Sequence, residues 1–376
     1  MQVTEVRTKQ DVADFLKVTR IIYKNTPQYV QPLDVDIEKV FDEKQNKFFR
    51  HGEATRWILK DKSGKLIGRV AAFINKKDCN NHRQPTGGMG FFECIDNQEA
   101  AFLLFDTCKT WLTNRDMQAM EGPVNFGERD KFWGLVTENF KQAPYYNQNY
   151  NLEYYVPFFR DYGFKTRFKQ FIYHRSIQEP LQDKFVERAE KIFNNPDYKV
   201  ESIKKNNPSK YAEDFRTIYN RAWANREGTG FKGMNAAQAK AIINSMKPII
   251  DEKLTYFAYY KNQPVGFYIS LPEINQIFKK FNGKLNWWNK IRLMYYLKTN
   301  QCKTSFGLAF GIDPDHQGKG LEGALFYALA QNVQPKKLYH DVVITWIGDF
   351  NPKMINIIEN LGAKKIQTME TLQKVF

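Results

Sequence analysis

The sequence predicts an α/β protein of two similar domains in tandem, each with a mixed, twisted sheet flanked by helices. Two observations indicate this fold class. The same order of strand-type and helix-type patterns occurs twice along the 376 residues. Matching glycines recur at a nearly constant offset, because Gly68 and Gly266 lie 198 positions apart while Gly163 and Gly362 lie 199 apart. Such an offset is typical of an internal duplication, so the two halves should share one fold.

The repeated elements follow the same order in both halves. Each half begins with a short β-branched strand and a helix, at residues 3–23 and again at residues 198–219. Alternating apolar residues around a turn follow at 54–73 and at 254–270, and this pattern predicts a β-hairpin in each half. A strand, a helix, a second strand, another helix and a final strand complete each half. Strands that alternate with helices in this way favour a mixed sheet covered by helices.

The two halves meet in a segment of helical pattern over residues 176–196, which Asn195-Pro196 ends. We place the domain boundary between residues 176 and 177, so that residues 1–176 form one domain and residues 177–376 form the other. Domains commonly have roughly 100–200 residues, and two of them account for the whole length.

Composition limits the classes of protein and partner. Hydrophobic residues make up 42% of the chain, enough for packed cores, but no apolar run reaches the about 20 residues that a membrane helix needs. The N-terminus has no apolar signal-peptide core, and the four cysteines and five histidines show no metal-ligand spacing. We therefore expect a cytoplasmic location, free thiols and no metal site.

The formal net charge of +15 favours anionic partners. A phosphorylated cofactor, nucleic acid and an acidic membrane surface all fit this charge. A lysine-rich surface that only keeps the protein soluble accounts for it equally well, because the lysines are spread along the chain. The oligomeric state stays undetermined by the sequence.

The segment 306–333 has the pattern most typical of a binding site. An apolar strand ends near Ile312, a turn with Pro314 follows, and Gln317–Gly320 leads into a helix that begins with Leu321. At such a helix start, free backbone N–H groups and the positive end of the helix dipole favour an anion. Glycines also let the main chain approach the oxygens of the anion. This pattern predicts a pyrophosphate site, and the alternative is a tight turn that only begins a helix.

The loop resembles the acyl-CoA loop of the GNAT acyl-CoA N-acyltransferases, which runs Gln/Arg-x-x-Gly-x-Gly/Ala. Its first five places are filled in order by Gln317, Gly318, Lys319, Gly320 and Leu321. The sixth place holds Glu322, whose carboxylate would repel a phosphate. The resemblance implies that the second half binds acetyl-CoA or another acyl-CoA through Ile312, residues 317–322 and Asn351.

Asn351 begins a further helix, with Pro352 at its first position and Gly362 eleven residues after the asparagine. GNAT enzymes share this spacing and often have a tyrosine general acid seven residues after the asparagine, where this chain has Ile358. The absence of this tyrosine and the presence of Glu322 leave one alternative open, in which the protein binds acyl-CoA without catalysing a reaction.

The first half lacks such a loop. Ile95-Asp96 correspond to Ile312-Asp313, and the next helix starts almost at once with Glu99 in its first turn. Because no glycine remains and a carboxylate occupies the place of an anion, we expect a degenerate GNAT-like domain that does not bind CoA. We expect this half to lie on the acceptor side of the site instead.

Aromatic residues in the first half suggest an acceptor cleft. Together with the rest of the chain, Gly122-Pro123, Gly134–Val136 and the segment from Tyr150 to Tyr155 resemble an uncharacterised bacterial family of tandem GNAT-like proteins. The candidate substrate-binding residues are Trp133, Tyr150 and Tyr154, and the candidate catalytic residues are Glu93 and Tyr155. GNAT bases often lie near the strand that contains Glu93. The alternatives are tyrosines that pack between domains and a strand-end glutamate that faces solvent.

Three functions are compatible with these features. The leading one is transfer of an acyl group from acyl-CoA to the amine of a small molecule or peptide. Fem-type aminoacyltransferases are also tandem GNAT folds but use aminoacyl-tRNA, which the positive charge suits. The third is acyl-CoA binding without catalysis. The intact loop at residues 317–321 favours CoA over nucleic acid.

The segment 275–300 interleaves aromatic and basic residues and has no counterpart in the first half. It suits a lid over the site, an interfacial helix on an anionic membrane, or a surface that stacks on RNA bases. Amphipathic helices that cover the sheet edge, with lysine stems along them, explain the same composition.

Overall fold

The computed structural model describes residues 1–81, 83–223 and 233–376. Thirteen strands of the described residues form one mixed sheet, which confirms the predicted α/β class. The strands are β1 (Gln2–Glu5), β2 (Gly52–Lys60), β3 (Leu66–Asn75), β4 (Thr86–Cys94), β5 (Ala119–Gly122), β6 (Leu135–Val136), β7 (Lys165–Ser176), β8 (Tyr198–Ser202), β9 (Tyr256–Tyr260), β10 (Gln263–Pro272), β11 (Thr304–Ile312), β12 (Asp341–Gly348) and β13 (Lys364–Val375).

Helices connect these strands. They are α1 (Lys9–Ile22), α2 (Asp34–Phe41), α3 (Gln98–Thr113), α4 (Tyr155–Asp161), α5 (Asp183–Phe193), α6 (Pro208–Ala222), α7 (Ala236–Met246), α8 (Asn275–Phe278), α9 (Trp287–Lys298), α10 (Leu321–Val333) and α11 (Pro352–Asn360), with 3₁₀ turns at Lys47–His51 and Pro314–His316. Local sequence fixes several helix starts. Thr8 and Asn235 form capping boxes before α1 and α7, and proline occupies the first position of α6 and α11.

Helices cover both faces of the sheet because neighbouring strand residues point to opposite sides. In the first half, Ile58 packs under α1, whereas Trp57 and Leu59 on either side of it pack under α3. In the second half, Phe267 packs with α6 and α7, whereas Tyr268 packs under α10. Each half therefore has two apolar layers, one on each face of its part of the sheet.

The final strands of the two halves are exchanged. The sheet order is β1-β2-β3-β4-β5-β13-β7-β12-β11-β10-β9-β8, with β6 beside β13. The last strand of the chain, β13, lies antiparallel between β5 and β7, and β7 in turn pairs with β12 of the second half. Leu372 of β13 is fully buried in the core of the first half. Both halves therefore depend on a strand from the other.

Buried polar contacts also join the halves. The Glu273 carboxylate, which follows β10, accepts backbone N–H groups from Tyr146 of the first half at 3.2 Å and from Asn275 at 2.9 Å. Burial raises the pKa of Glu273 to about 7, and these two N–H donors oppose the rise. The contact holds the 137–154 loop of the first half against the second half.

Candidate functional site

The loop between β11 and α10 has the conformation that its glycines predict. Gly318 and Gly320 have φ values of +73° and +94°, the left-handed region in which a side chain is strained. Gly320 is the N-cap of α10, and no side chain caps this helix. Leu321, the first helical residue, is fully buried and anchors the helix start to the core.

The loop leaves several backbone donors unpaired. Gln317, Gly318 and Lys319 are exposed. Among the described residues, the N–H groups of Gly318–Leu321 have no acceptor. Several free N–H groups at the positive end of a 13-residue helix suit the oxygens of a pyrophosphate.

Side chains beneath the loop hold it in place. Gln317 Nε2 donates a hydrogen bond to the Ile312 carbonyl at 3.0 Å. Asp313 is fully buried, and its carboxylate forms an ion pair with Arg221 Nε of α6 at 2.8 Å. The Asp313 N–H donates to the Val265 carbonyl at 2.8 Å. These contacts fix the point at which the chain leaves β11, and Gln317 in this arrangement supports the loop.

Next to the loop, β11 and β12 diverge into a V-shaped opening. Their parallel pairing runs from Thr304 to Gly307 on β11 and stops at Ile344 on β12. The register of β11 against β10 skips Leu308, so this exposed residue has no pairing partner on either side. β12 is also irregular after Ile344, and Trp346 has a φ of +60°. The opening leaves strand backbone free to bind a ligand.

An apolar cavity adjoins this opening. It lies between α10, β10 and β12 and is open to solvent at its mouth. Its walls include Tyr268, Phe326, Leu329, Ala330 and Ile344. Ile344 is the last paired residue of β12 before the opening, so the cavity starts where the strands part.

Two predicted cofactor residues have additional structural features. Asn351 is exposed and its side-chain oxygen accepts the Met354 N–H at 3.3 Å, so it caps α11. Glu322 is half-buried in the first turn of α10, and its Oε2 has no hydrogen-bond partner within the described residues. An unpartnered carboxylate oxygen beside the loop is unfavourable for a bound anion.

The corresponding position of the first half is closed by tyrosines. Gly68 pairs with Cys94 and Gly266 pairs with Ile312, so the counterpart of Ile312 is Cys94. The sequence alignment of Ile95 with Ile312 was therefore wrong by one residue. The Cys94 N–H donates to Tyr155 Oη at 2.9 Å, and Tyr154 Oη donates to the Cys94 carbonyl at 2.8 Å. At Ile312 the carbonyl accepts from Gln317 Nε2 instead, and among the described residues no tyrosine hydroxyl bonds to the Ile312 backbone.

The strand opening of the first half is filled as well. β4 and β5 pair only from Thr86 to Gly88 on β4 and then diverge, as β11 and β12 do. The chain after β5 crosses this gap, with the Val124 N–H donating to the Met89 carbonyl at 2.8 Å. A Cβ on Gly90 would lie 1.8 Å from the Val124 carbonyl oxygen, so glycine permits this close crossing. Within the described residues, the V-shaped opening between strands is therefore unfilled only in the second half.

Glu93 belongs to a buried polar network. Tyr23 Oη donates to its carboxylate at 2.5 Å and Tyr155 Oη at 3.0 Å, and Arg69 lies 3.5 Å away. Burial raises the pKa of Glu93, and the Arg69 guanidinium opposes the rise. The alternative of a strand-end glutamate in solvent is wrong, because Glu93 is only 8% exposed.

Three of the five predicted catalytic and substrate residues of the first half line one cavity. These residues are Glu93, Tyr150 and Tyr155. Trp133 lies beside it and donates from its indole N–H to Thr371 Oγ1 of β13 at 2.9 Å. Tyr154 contacts the Cys94 carbonyl instead. Within the described chain, no residue of the loop at 317–322 lines this cavity.

The sheet order separates the two places. Five strand spacings lie between β4, which carries Glu93, and β11, which carries Leu308, or about 24 Å along the sheet. Trp346 at the second-half opening packs with the first-half aromatic cluster that contains Phe126 and Trp133. The sequence analysis did not identify Leu308 or Trp346 as residues of the site. The register of β4 in the first half is also irregular, near the place that matches Leu308 on β11.

Comparison with known proteins places this geometry in context. No protein-family model matches the chain. It is 22% identical over 396 residues to the bacterial ceramide synthase of Caulobacter vibrioides, with 100% of this chain and 97% of that protein covered. It is 23% identical over 381 residues to Protein YghO of Escherichia coli K12, with 97% and 93% covered.

A solved structure resembles the whole chain. The tandem GNAT protein from the clavulanic acid biosynthesis pathway aligns with a TM-score of 0.58 at 9% identity, covering 100% of this chain and 98% of that one. At this identity the likeness concerns the fold. The chain is a GNAT-fold protein with two GNAT units in tandem.

Proposed function

We propose that the protein is an acyl-CoA-dependent N-acyltransferase whose donor site lies in the second half and whose acceptor is a lipid amine. The observation that carries this proposal is the asymmetry between the halves. The second half has a free glycine loop beside an open pair of strands, whereas tyrosines and a crossing segment fill the equivalent space in the first half.

The donor would bind with its pyrophosphate on the N–H groups of Gly318–Leu321, and Lys319 would add positive charge. Its pantetheine arm would enter the β11–β12 opening, where the unpaired backbone at Leu308 can polarise the thioester carbonyl. A neutral amine then attacks the carbonyl carbon, a C–N bond forms and the C–S bond breaks. The amine proton passes to solvent or to the CoA thiolate, because Ile358 occupies the usual tyrosine position.

A lipid acceptor is proposed from one relative, and a long-chain donor from one cavity. The Caulobacter relative is named a ceramide synthase, and a ceramide is an N-acylated lipid amine. For the donor, the apolar lining of the cavity beside Ile344 suits a long acyl chain next to the reacting centre. We therefore propose a long-chain acyl-CoA as the donor.

The first half contributes the wall of the acceptor cleft in this proposal. Trp133 and its cluster reach the opening through Trp346. Tyr154 and Tyr155 fill the place in the first half that corresponds to the donor site of the second half. Glu93 accepts hydrogen bonds from Tyr23 and Tyr155 and so orders them within the first-half core. These contacts are made far from the second-half opening, because β4 and β11 lie five strand spacings apart. In this proposal Glu93 and Tyr155 therefore have a structural role rather than a direct part in acyl transfer.

An activity assay with a donor panel tests the proposal. The purified protein is incubated with a long-chain amino alcohol and acetyl-CoA, palmitoyl-CoA or an aminoacyl-tRNA, and the amide is measured by mass spectrometry together with released thiol. We expect amide formation with palmitoyl-CoA, equimolar CoA release, and a lower rate with acetyl-CoA. Turnover of aminoacyl-tRNA alone would establish the Fem-type alternative, and binding without turnover would establish a sensor.

One CoA should bind per chain. The loop of the second half is open, whereas Tyr154 and Tyr155 occupy the matching site of the first half. Isothermal titration calorimetry with CoA gives the stoichiometry directly. Two equivalent sites per chain would show that the first half also binds the donor and would remove the asymmetry on which the proposal depends.

Replacing Glu322 with glycine should tighten CoA binding about tenfold, which corresponds to about 1.4 kcal/mol. The change removes a carboxylate whose Oε2 is unpartnered beside the loop. It should also lower thermal stability slightly, because an acidic residue in the first helical turn contributes roughly 0.3–1 kcal/mol. Calorimetry at low and moderate salt measures the affinity.

Glu322→Gln is the matched control, since it removes the charge and keeps the side-chain shape. It should share most of the gain in affinity. Equal CoA affinity in all three proteins would mean that the carboxylate points away from the phosphates. Weaker binding in Glu322→Gln would mean that the carboxylate contacts the donor.

A further inference from the structure

Helix α9 exposes a continuous apolar stripe. Residues spaced three, four or seven apart on a helix lie along one side of it, and two adjacent rows of such residues form a wide stripe. Five large apolar side chains of that face are largely exposed: Trp287 (65%), Trp288 (68%), Ile291 (46%), Met294 (46%) and Tyr295 (62%). Buried partners for these side chains are absent from the described residues, so the stripe is a surface of about three helical turns without a cover.

The other face of α9 fixes the helix to the protein. Leu293, Tyr296 and Leu297 pack against the second-half core. Asn286 caps the helix start by accepting the Asn289 N–H at 3.0 Å, and buried Asn289 donates to the Lys284 carbonyl at 2.7 Å. The stripe is therefore held in a defined orientation and is not a frayed end.

The segment that contains the stripe is strongly basic. Between Glu273 and Asp313 the sequence contains no acidic residue, and it contains seven basic ones: Lys279, Lys280, Lys284, Lys290, Arg292, Lys298 and Lys303. Lys280 Nζ lies 4.2 Å from the centre of the Tyr296 ring, and the Arg292 guanidinium lies 5.3 Å from that of Phe281. Aromatic and aliphatic residues bordered by cations are typical of helices that lie in a membrane interface.

We propose that α9 docks the protein on an anionic lipid bilayer. Its 12 residues are too few to cross a bilayer, which needs about 20, but they suit a helix lying in the interface plane. Tryptophan and tyrosine favour the headgroup region, Ile291 and Met294 enter the acyl boundary, and the lysines contact anionic headgroups. Aliphatic side chains would add nothing to base stacking, so a bilayer fits this stripe better than RNA.

The position of α9 gives the contact a consequence. β11 begins at Thr304, six residues after α9 ends at Lys298, and contains Leu308 at the strand opening. Among the described residues, no helix is both long and apolar enough to cross a membrane. A docked α9 would hold the β11–β12 opening near the bilayer without a membrane span. The docking itself does not depend on the proposed function.

Vesicle co-sedimentation tests the docking. The full chain is mixed with phosphatidylcholine vesicles, or with vesicles in which about one-third of the lipid is phosphatidylglycerol. We expect binding to the anionic vesicles that weakens as salt is raised. Trp287→Ala/Trp288→Ala/Tyr295→Ala should lower the partition coefficient about tenfold or more, because it removes most of the inserted surface. Phe193→Ala, which shortens an exposed aromatic residue of α5, should bind as the wild type does.

Charge-reversal variants distinguish the effect of the lysines near α9 on vesicle binding from the effect of the net charge. Lys284→Glu/Lys290→Glu/Lys298→Glu should weaken binding by at least about fivefold per residue. Lys9→Glu/Lys62→Glu/Lys65→Glu changes the net charge equally on exposed first-half lysines and should have a much smaller effect. Circular dichroism of each variant checks the fold and should show a cooperative melt like that of the wild type. CoA titration of the same variants reports on the donor site separately, so a failure of docking is distinguishable from a failure of the proposed function.

Three results would overturn the proposal. The first is wild-type vesicle binding by the triple aromatic variant. The second is loss of single-stranded RNA binding, but not of vesicle binding, in that variant. The third is a dimer in solution that the variant converts to a monomer, which would make the stripe a contact between two copies of the chain.

Discussion

Gly318→Asp should weaken CoA binding about 100-fold, which corresponds to about 2.7 kcal/mol. The substitution places a carboxylate among the N–H groups that would hold the pyrophosphate, and two unit charges 4 Å apart repel by about 4 kcal/mol near a protein surface before salt screening. Among the described residues, apart from its two chain neighbours, no heavy atom lies within 4 Å of the place where its Cβ would stand. Aspartate tolerates the positive φ of this position better than most residues, so the fold should survive.

Gly318→Asn is the matched control for this variant. Asparagine has nearly the same shape and the same tolerance of positive φ but carries no charge. Its affinity for CoA should be within about threefold of that of the wild type, because the substitution adds no charge and requires only a small adjustment of the backbone at this residue. Calorimetry gives the affinities and circular dichroism the melting temperatures. Equal affinity for CoA in the aspartate and asparagine variants would mean that the phosphates do not lie at this loop.

Removal of residues 364–376 should prevent the protein from folding, because it deletes β13 from the middle of the sheet. β13 pairs with β5, β6 and β7, and Leu372 is fully buried in the first-half core. Its loss exposes two strand edges and opens a large cavity, changes that each cost several kcal/mol against a usual total of about 5–15 kcal/mol. We expect an aggregated product with no cooperative melting transition.

Deletion of residues 1–5 provides the contrast. β1 is also a terminal strand, but it lies at the sheet edge and pairs only with β2. That variant should melt cooperatively, at a reduced temperature. A folded 1–363 protein with an unchanged melting temperature would show that β13 does not complete the first-half sheet.

The duplicated fold could be predicted because its signals are local. Gly68 and Gly266 sit at matching places before the same strand bend, and Gly163 and Gly362 both end a helix with positive φ. The exchange of β7 and β13 was not predictable in the same way. Both strands follow a helix and a glycine, and a strand pattern does not specify which neighbour supplies its hydrogen bonds.

The residues of the candidate site also differ in whether a local sequence pattern predicts them. The loop at 317–321 was found because its glycines, its charge and the following helix are contiguous in sequence. Leu308 and Trp346 were missed because a bulge leaves no compositional mark on a strand. The burial of Glu93 depends on Tyr23, seventy residues earlier, and on Tyr155, sixty-two residues later, contacts that no local pattern encodes.

A crystal structure with a non-hydrolysable palmitoyl-CoA analogue would test the central claim most directly. We expect the pyrophosphate on the N–H groups of Gly318–Leu321, the pantetheine arm in the β11–β12 opening beside Leu308, and the acyl chain in the cavity at Ile344. The first-half cavity at Glu93 should hold none of the analogue. Density for the analogue at Glu93, with the glycine loop empty, would contradict the assignment of the donor site to the second half.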